Sequence, residues 1–342
     1  MDFLKIDGSY GEGGGQIVRS AVTLSCITKT PILIENIRKN RRVPGLRPQH
    51  IMAIKILSRI CNARIQGLNA GSTSIKFSPK NVENYFLSED IGTAGSISLI
   101  LEVLIPAVSI SKKSLELSII GGTDVPWSPT SNYTKYVLGE AYSRMGINFS
   151  MEISKRGYYP KGGGLVNVKI HPLKKLKPFL LIKRKTKSVK LFCSYSDISL
   201  ERIKNEVQQT ENFLKDADFS IESEIKEEIA LNKGGSIMIY SQDSSSITGY
   251  DALTDTTAEI SKSISKNFIR SNLGVDNHLS DMLVLPASLI DDTSVYRIKE
   301  ITKHLETNLY VTSKITGCKY GIGKLDKGFE VRIKGNSNSV IQ

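Results

Sequence analysis

The sequence is poor in cysteine, histidine and tryptophan: 342 residues carry four Cys, four His and a single Trp. Cys26, Cys61, Cys193 and Cys318 stand alone with no CxxC pair, which argues against a zinc knuckle and a disulfide framework and leaves reduced core thiols. Long apolar runs are also missing. The longest, around Ile97 to Ile110, is interrupted by Ser98, Glu102 and Pro106 and falls short of the roughly 18 residues a membrane span needs. Met1 leads into Asp2-Phe3-Leu4-Lys5-Ile6-Asp7 with neither the basic start nor the long apolar stretch of a secretory signal, so a cytoplasmic chain is expected. Gly (27) and Pro (11) are too few for a collagen-like or disordered chain; with 40% hydrophobic and 23% charged residues, the expectation is a folded soluble protein of about two domains.

Acid is scarce relative to base. The 46 Lys and Arg against 34 Asp and Glu leave a formal charge of +12, a field that attracts phosphate and makes nucleic acid an early candidate partner. The alternative is a basic surface spread evenly over the fold.

Hydrophobic periodicity and turn residues divide the chain into a recurring order of helix, strand, helix and hairpin. In its first appearance a helix follows Gly13-Gly14-Gly15 and runs to Ile27, a strand covers Ile32 to Ile37, a helix runs from Pro48 to about Ile60, and a hairpin spans Ala63 to Phe77. The second has a helix from about Gly92 to Ala107, a strand Leu115 to Ile120, a helix from about Ser131 to Met145 and a hairpin Ile147 to Ile170 turning through Lys161-Gly162-Gly163-Gly164. The third has a helix from about Leu279 to Leu289, a short strand near Val295, a helix from about Ile301 to Ile315 and a hairpin Cys318 to Ile333. Between the second and third, Pro172 to about Leu273 breaks the order. It reads as an inserted α/β layer with strands at Val189–Tyr195, Phe219–Ile225 and Ser236–Tyr240 and helices at Leu200–Leu214 and Ala252–Ile264. Ser241 to Ser246 reads as a surface loop.

Three segments carry chemistry. Asp7-Gly8-Ser9-Tyr10-Gly11-Glu12-Gly13-Gly14-Gly15-Gln16 puts a glycine-rich turn just before a helix, where backbone amides can face an anion. It is neither a P-loop, since no GK[ST] follows, nor a GxGxxG fingerprint, since Gln16 occupies the last glycine's place. Glu12 could hold a hard cation and Arg19, one turn into the helix, could reach a phosphate oxygen; a tight structural turn is the plainer alternative. Arg38-Lys39-Asn40-Arg41-Arg42-Val43-Pro44-Gly45-Leu46-Arg47-Pro48-Gln49-His50 holds five cations and no acid before its terminal Gln-His. Its prolines and glycine stiffen it, a setting in which guanidinium groups grip phosphate bidentately. Of the histidines, His171 precedes Pro172 at a strand end and reads as structural. His304 lies on a helix beside the apolar stripe Ile301, Leu305, Leu309, with Asn308 one turn on. Asp281, at the start of another apolar helix, reads locally as an N-terminal acid favoured by the helix dipole.

Taken together these segments resemble the RNA 3′-terminal phosphate cyclase family. The shared blocks are Asp7-Gly8-Ser9 with Gly11 to Gln16, Pro44 to His50, Asp90-Ile91-Gly92-Thr93-Ala94-Gly95-Ser96, Gly121-Gly122-Thr123-Asp124-Val125, Arg156 to Gly164, and His304 with Thr307-Asn308. The resemblance implies an α+β fold. A large domain (1–172 and 274–342) would hold three repeated βαβαββ units, like those of translation initiation factor domains and enolpyruvyl transferases, with a small α/β domain (173–273) inserted before the third.

It also implies a reaction. His304 would attack the α-phosphorus of ATP to give a histidine–AMP adduct and pyrophosphate, AMP would pass to an RNA 3′-phosphate, and the adjacent 2′-hydroxyl would close a 2′,3′-cyclic phosphate and expel AMP. An imidazole with an ordinary pKa of about 6.5 is largely neutral at pH 7 and suits this role. By the same resemblance Glu12 lies near the triphosphate and its Mg²⁺ or Mn²⁺, Gln16, Arg19, Arg38, Arg41, Gln49 and His50 are polar phosphate-binding positions, and Asp281 is an acid that orients or steadies His304. Pro129 and Tyr133 would line the adenine pocket. Two positions depart from the pattern: His278 stands where an aromatic ring is expected over the adenine, and Thr302-Lys303 precede His304 where small polar residues are usual. The expected partners are ATP and RNA ending in a 3′-phosphate, with a homodimer left open. The competing readings are a non-catalytic branch of the same family, which lacks the nucleophilic histidine and binds preribosomal RNA in ribosome assembly, and an enolpyruvyl transferase built on the same unit.

Overall fold

The computed structural model describes residues 2–254 and 259–340. The first elements are β1 (Leu4–Asp7), α1 (Gly15–Thr28), β2 (Ile32–Glu35), α2 (Pro48–Ile60), β3 (Arg64–Gln66) and β4 (Ile75–Ser78). Their strands form a sheet ordered β1-β2-β4-β3, parallel between β1 and β2 and antiparallel elsewhere. Next come β5 (Tyr85–Asp90), α3 (Ile97–Ile110), β6 (Leu115–Gly121), α4 (Gly139–Arg144, continuing a π-helical stretch Tyr133–Leu138), β7 (Phe149–Lys155) and β8 (Gly164–Ile170). Their sheet runs β5-β6-β8-β7 with the same pattern of directions.

After β9 (Leu180–Leu181) a separate sheet forms from β10 (Ser188–Ser196), β11 (Ser220–Glu227), β12 (Gly234–Asp243) and β13 (Ser246–Leu253), with α5 (Leu200–Lys215) and α6 (Glu259–Arg270). Then α7 (Asn277–Ala287), β14 (Thr293–Ile298), α8 (Lys303–Thr316), β15 (Lys319–Lys324) and β16 (Phe329–Lys334) follow. The last strands take β9 back into their sheet, ordered β9-β14-β16-β15, again with the first pair parallel and the others antiparallel. Leu180 and Leu181 thus lie within the 173–273 span but pair with Val295 and Tyr296.

Local sequence explains the elements that frame the site. Gly11 and Gly13 both adopt φ +58°, a left-handed backbone that side chains disfavour, and the turn they make delivers the chain into α1 with Gly14 as N-cap. Gly14 has no side chain to satisfy the first-turn amides, and that turn carries no acid. Pro48 opens α2, where Pro lacks only an N–H that would be unpaired anyway. Thr302 caps α8, its Oγ1 accepting from the Leu305 N–H at 2.9 Å, and Gly317 at φ +72° ends that helix.

Two cores result. The larger gathers α1, α2, α3, α7 and α8, with α1 packed against α2, α3 and α8 and buried on nearly every side. The smaller, around Val189, Leu191, Ile203, Val207, Ile237, Ile239 and Phe268, belongs to the β10–β13 sheet and its helices. All four cysteines are buried and free, as their isolation in sequence suggested.

The secondary-structure expectations need four corrections. β1, β5 and β9 lie outside the strands expected from periodicity; each is an edge strand with a single neighbour, β2, β6 and β14 respectively. The α3 helix begins at Ile97 rather than Gly92, because Gly92 has φ +71° and Ser96 supplies the N-cap. The helix expected over Ala252–Ile264 is instead the end of β13 followed by α6 from Glu259; its residues 255–258 lie outside the described residues. Ser241–Ser246 is not a surface loop but the end of β12, a two-residue turn at Ser244 and Ser245, and the start of β13, held by Asp243, whose carboxylate accepts backbone N–H groups of Lys185, Thr186 and Ser245. No helix among the described residues is long and apolar enough to cross a membrane.

Candidate active site

The glycine-rich turn, the arginine loop and α8 meet at the N-terminus of α1. A Cβ on Gly11 would fall 2.7 Å from Thr307 Oγ1, so the turn lies directly against α8. Glu12 sits between two groups brought in from elsewhere: Oε1 contacts the Arg41 guanidinium, and Oε2 lies 2.7 Å from Nδ1 of His304. With Nδ1 facing the carboxylate, Nε2 is the ring nitrogen turned away from it, and the ring is 44% exposed, within reach of a ligand. The resemblance implies that Asp281 either orients His304 or steadies charge on its ring. Its Oδ1 accepts from the Thr302 hydroxyl at 2.7 Å and the Ser280 hydroxyl at 3.3 Å, its charge favours the protonated form of His304, and the carboxylate beside Nδ1 is Glu12.

Beneath this surface is a buried polar layer lining a cavity of about 20 Å³, enough for roughly one water. Arg19 donates to Gln16 Oε1 and places Nε 3.4 Å from Glu102 Oε2. Gln16 Nε2 donates to Asn308 Oδ1 at 3.2 Å, the Ser20 hydroxyl donates to the same oxygen at 2.6 Å, and Asn308 Nδ2 donates to the Asp281 carbonyl at 2.8 Å. These bonds tie α1 to α7 and α8. Glu102 was not among the expected site residues. The signal was there: it is the one acid in the otherwise apolar α3, and a carboxylate in such a setting is almost never buried without a cationic partner.

Burial dominates the electrostatics. It pushes the Glu102 carboxyl up against the pull of Arg19, and pushes Arg19 down against the pull of Glu102. Asp281 is pushed up to about 6 by burial, with the Thr302 hydrogen bond and the nearby His304 and His278 opposing the shift. His304 is pushed below its ordinary value, chiefly by burial and then by Arg19 and Arg41, while Asp281 and Glu102 oppose. The ring is thus biased toward its neutral form at pH 7.

The other expected residues fall in three places. Arg38, at φ +54°, donates to the Val43 carbonyl at 3.3 Å, and burial and Arg47 lower its affinity for its own proton. His50 is buried and pushed down to about 3, first by burial and then by Arg19, Arg38 and Arg47. Its Nδ1 accepts the Arg47 N–H at 3.1 Å, leaving the proton of the neutral ring on Nε2. That nitrogen lies 2.1 Å from where a Cβ on Gly15 would be, so only glycine fits at the first position of α1. Gln49 lies nearby, against Gly95 in the loop before α3. Tyr133 stands apart: it is fully buried and its hydroxyl donates to Asp276 Oδ1 at 2.7 Å. What this corner presents to solvent is His278, edge-on to Tyr133 at 6.3 Å, and the partly exposed Pro129.

Several charged atoms at the site are buried without a hydrogen-bond partner: Glu12 Oε2, His304 Nδ1, and Nε of Arg19, Arg38 and Arg41. The approach of Glu12 to His304 is therefore close in distance without being an aligned hydrogen bond. Arg19 Nε faces Glu102, but the unpartnered buried donors of Arg38 and Arg41, beside the uncapped N-terminus of a helix, suit an anion with several oxygens. For a metal the fit is poorer. Among the described residues no group of three or more His, Cys, Asp or Glu is arranged to hold an ion, and Glu12 is the lone carboxylate at the mouth of the site.

Comparison with known proteins agrees with this chemistry. A family model described as RNA 3′-terminal phosphate cyclase matches residues 10–322. Among curated relatives, a protein of Methanosarcina barkeri named RNA 3′-terminal phosphate cyclase is 38% identical over 339 residues, covering 96% of this chain and 99% of the relative. Proteins of the same name from Thermococcus kodakarensis and Methanococcoides burtonii are 37% and 36% identical, each covering 97% of this chain and 98% and 100% of their own lengths. With a family match across most of its length and full-length relatives above 30% identity, this chain belongs to the RNA 3′-terminal phosphate cyclase family of enzymes.

Proposed function

We propose that this chain converts an RNA 3′-terminal phosphate to a 2′,3′-cyclic phosphate at the expense of ATP, through a covalent adenylate on His304. The observation that carries the reading is a half-exposed imidazole, pushed toward its neutral form, with Nδ1 against Glu12, whose other oxygen meets Arg41 just before the N-terminus of α1. In the first step Nε2 attacks the α-phosphorus of ATP; an N–P bond forms, and the P–O bond to pyrophosphate breaks with its electron pair leaving on the pyrophosphate. Glu12 steadies the positive charge that develops on the ring, while Arg41, Arg38 and the α1 amides take the charge that spreads over the phosphate oxygens.

In the second step an oxygen of the RNA 3′-phosphate attacks the AMP phosphorus and the N–P bond breaks, returning a neutral imidazole. In the third the neighbouring 2′-hydroxyl loses its proton and attacks the 3′-phosphorus, expelling AMP; its attachment to the same ribose supplies the proximity. Mg²⁺ or Mn²⁺ enters this reading on the triphosphate with Glu12 as the protein carboxylate in reach, and when bound it would neutralise phosphate charge. His278 and Pro129 are the surfaces offered to the adenine, with Tyr133 supporting His278 from behind.

The scaffold in this reading is three βαβαββ units with an α/β layer inserted before the last. The shared strand order of three sheets supports it, and the β9–β14 pairing extends the third unit back to Leu180. The test is incubation with α-labelled ATP and Mg²⁺, scoring an acid-labile, alkali-stable protein–AMP adduct. Label on the wild type and none on His304→Ala is expected, followed by cyclisation of RNA bearing a 3′-phosphate. An unlabelled wild type with ATP and metal in excess would overturn the reading in favour of a non-catalytic RNA-binding role.

A further inference from the structure

Trp127, the single tryptophan of the chain, is 94% exposed and adopts φ +64°. A bulky residue in the left-handed region is disfavoured, and a fully hydrated indole forgoes burial; a fold that keeps both calls for a use of the ring outside the protein. The loop that presents it is anchored rather than loose. The Ser128 hydroxyl donates to the Val125 carbonyl at 3.1 Å, the Ser131 N–H to the Thr123 carbonyl at 2.9 Å, and the Thr130 N–H to Asp251 Oδ2 at 2.7 Å.

A second exposed ring lies on the adjoining loop. The N–H groups of Thr123 and Asp124 donate to the Gly157 carbonyl at 2.8 and 3.3 Å, and Asp124 bridges to Tyr158, so the loop of Trp127 is joined to that of Tyr159, itself 62% exposed. Asn232 Nδ2 donates to the Tyr159 carbonyl at 3.2 Å, bringing in a third loop with exposed Ile229 and Leu231. Within these three loops the exposed charges have one sign. Lys161 and Lys233 are exposed, whereas Asp124 and Glu228 are held on Arg156 and largely buried. The patch also connects to the active site, since Gly162 packs against the backbone of Ala94 and the next residue, Gly95, packs against Gln49 beside His50.

We propose that Trp127 and Tyr159 form a stacking platform for bases of the single-stranded RNA that leads up to the reacting 3′ end, with Lys161 and Lys233 meeting its phosphates. The proposal rests on the cyclase reading for the identity of the ligand. Flat rings flanked by cations, on loops free of exposed acid, are the recognition chemistry of single-stranded nucleic acid, tolerant of sequence because every base has a face to stack. A protein partner would favour the apolar side chains Ile229 and Leu231 over the lysines.

Because Trp127 is the only indole, its fluorescence reads the platform directly. Titration with an oligoribonucleotide ending in a 3′-phosphate, without ATP, is expected to quench it saturably and less tightly at high salt. ATP alone is expected to leave it unchanged. Trp127→Gly, which suits the left-handed backbone, and Tyr159→Ala are each expected to raise KM for RNA about tenfold while leaving kcat and adduct formation from ATP as they were; Trp127→Phe should recover most of the loss. Quenching by ATP with none from RNA would reassign the ring to the nucleotide and overturn the proposal. Unchanged KM in both variants would overturn it as well. A failure of the cyclase reading would appear separately, as a wild-type chain that forms no adduct, because the titration needs no turnover.

Discussion

Two groups of buried charge in this molecule are built from similar parts and finished differently. Around Arg156 every nitrogen is used: Nε meets Glu228 at 2.7 Å, one terminal nitrogen meets Asp124 at 3.1 Å, and the other meets Asn132 at 2.8 Å and Ser194 at 3.0 Å. Only Asp124 Oδ1 in that group lacks a partner, and the two carboxylates hold the guanidinium above its ordinary pKa despite burial. At the N-terminus of α1, Arg19, Arg38 and Arg41 each leave Nε unpartnered, and burial lowers the proton affinity of Arg19 and Arg38. The first group is complete within the protein and fastens the β7–β8 unit to the β10 sheet. In the second, three arginines meet only two carboxylates, Glu102 at Arg19 and Glu12 at Arg41, an excess of positive charge that suits a polyphosphate.

The largest expected effect that tests this contrast is on stability. Arg156→Met leaves Asp124 and Glu228 buried without their cation and should cost about 3–5 kcal/mol in denaturant unfolding, while adduct formation per folded molecule stays near wild type. Arg41→Ala should do the reverse. Adduct formation is expected to fall about 100-fold through weaker stabilisation of phosphate charge, with stability shifted by no more than about 0.5 kcal/mol. A large stability loss for Arg41→Ala, or a catalytic loss for Arg156→Met at full folding, would break the comparison.

The smallest effect sharpens it through pH. The Asp281 carboxyl, raised to about 6 from an ordinary value near 3.8, binds its proton more tightly in the native state than in the unfolded one. Its contribution to stability is therefore full below the unfolded value and is lost as pH rises through the window from about 4 to 6. Asp281→Asn removes that loss. The variant should be more stable than wild type at pH 7.5 by on the order of 1–2 kcal/mol, an advantage that disappears by about pH 4. An advantage independent of pH would show that Asp281 is not carrying a buried charge.

Much of the site was legible because its signals are local. The glycines before α1 and the prolines that stiffen the arginine loop announce themselves within a few residues, whereas α8 is expected from Ile301 and begins only after its Thr302 cap. What joins them is not local: Gln16 and Asn308 are 292 residues apart, and nothing near Glu12 shows that it meets His304 rather than leaving that place to Asp281. Glu102 was visible as an acid inside an apolar stretch but read as an interruption of that stretch, although its burial opposite Arg19 is the more informative fact. In the fold, β13 escaped because Gly249 breaks its strand pattern; a Cβ there would lie 2.4 Å from Val137, so close packing against the π-helical stretch dictates the residue.

The pairing of β9 with β14 sets an order on synthesis. Leu180 and Leu181 emerge before the whole β10–β13 layer, yet their partners Val295 and Tyr296 emerge after it. The first two sheets, the glycine turn and the arginine loop can all be in place while the last sheet still lacks its central strands. α8 follows β14 in the chain, so His304 is among the last parts to be delivered. A growing chain is thus able to gather the glycine turn and the arginine loop well before it has the histidine that would carry AMP in the proposed reaction.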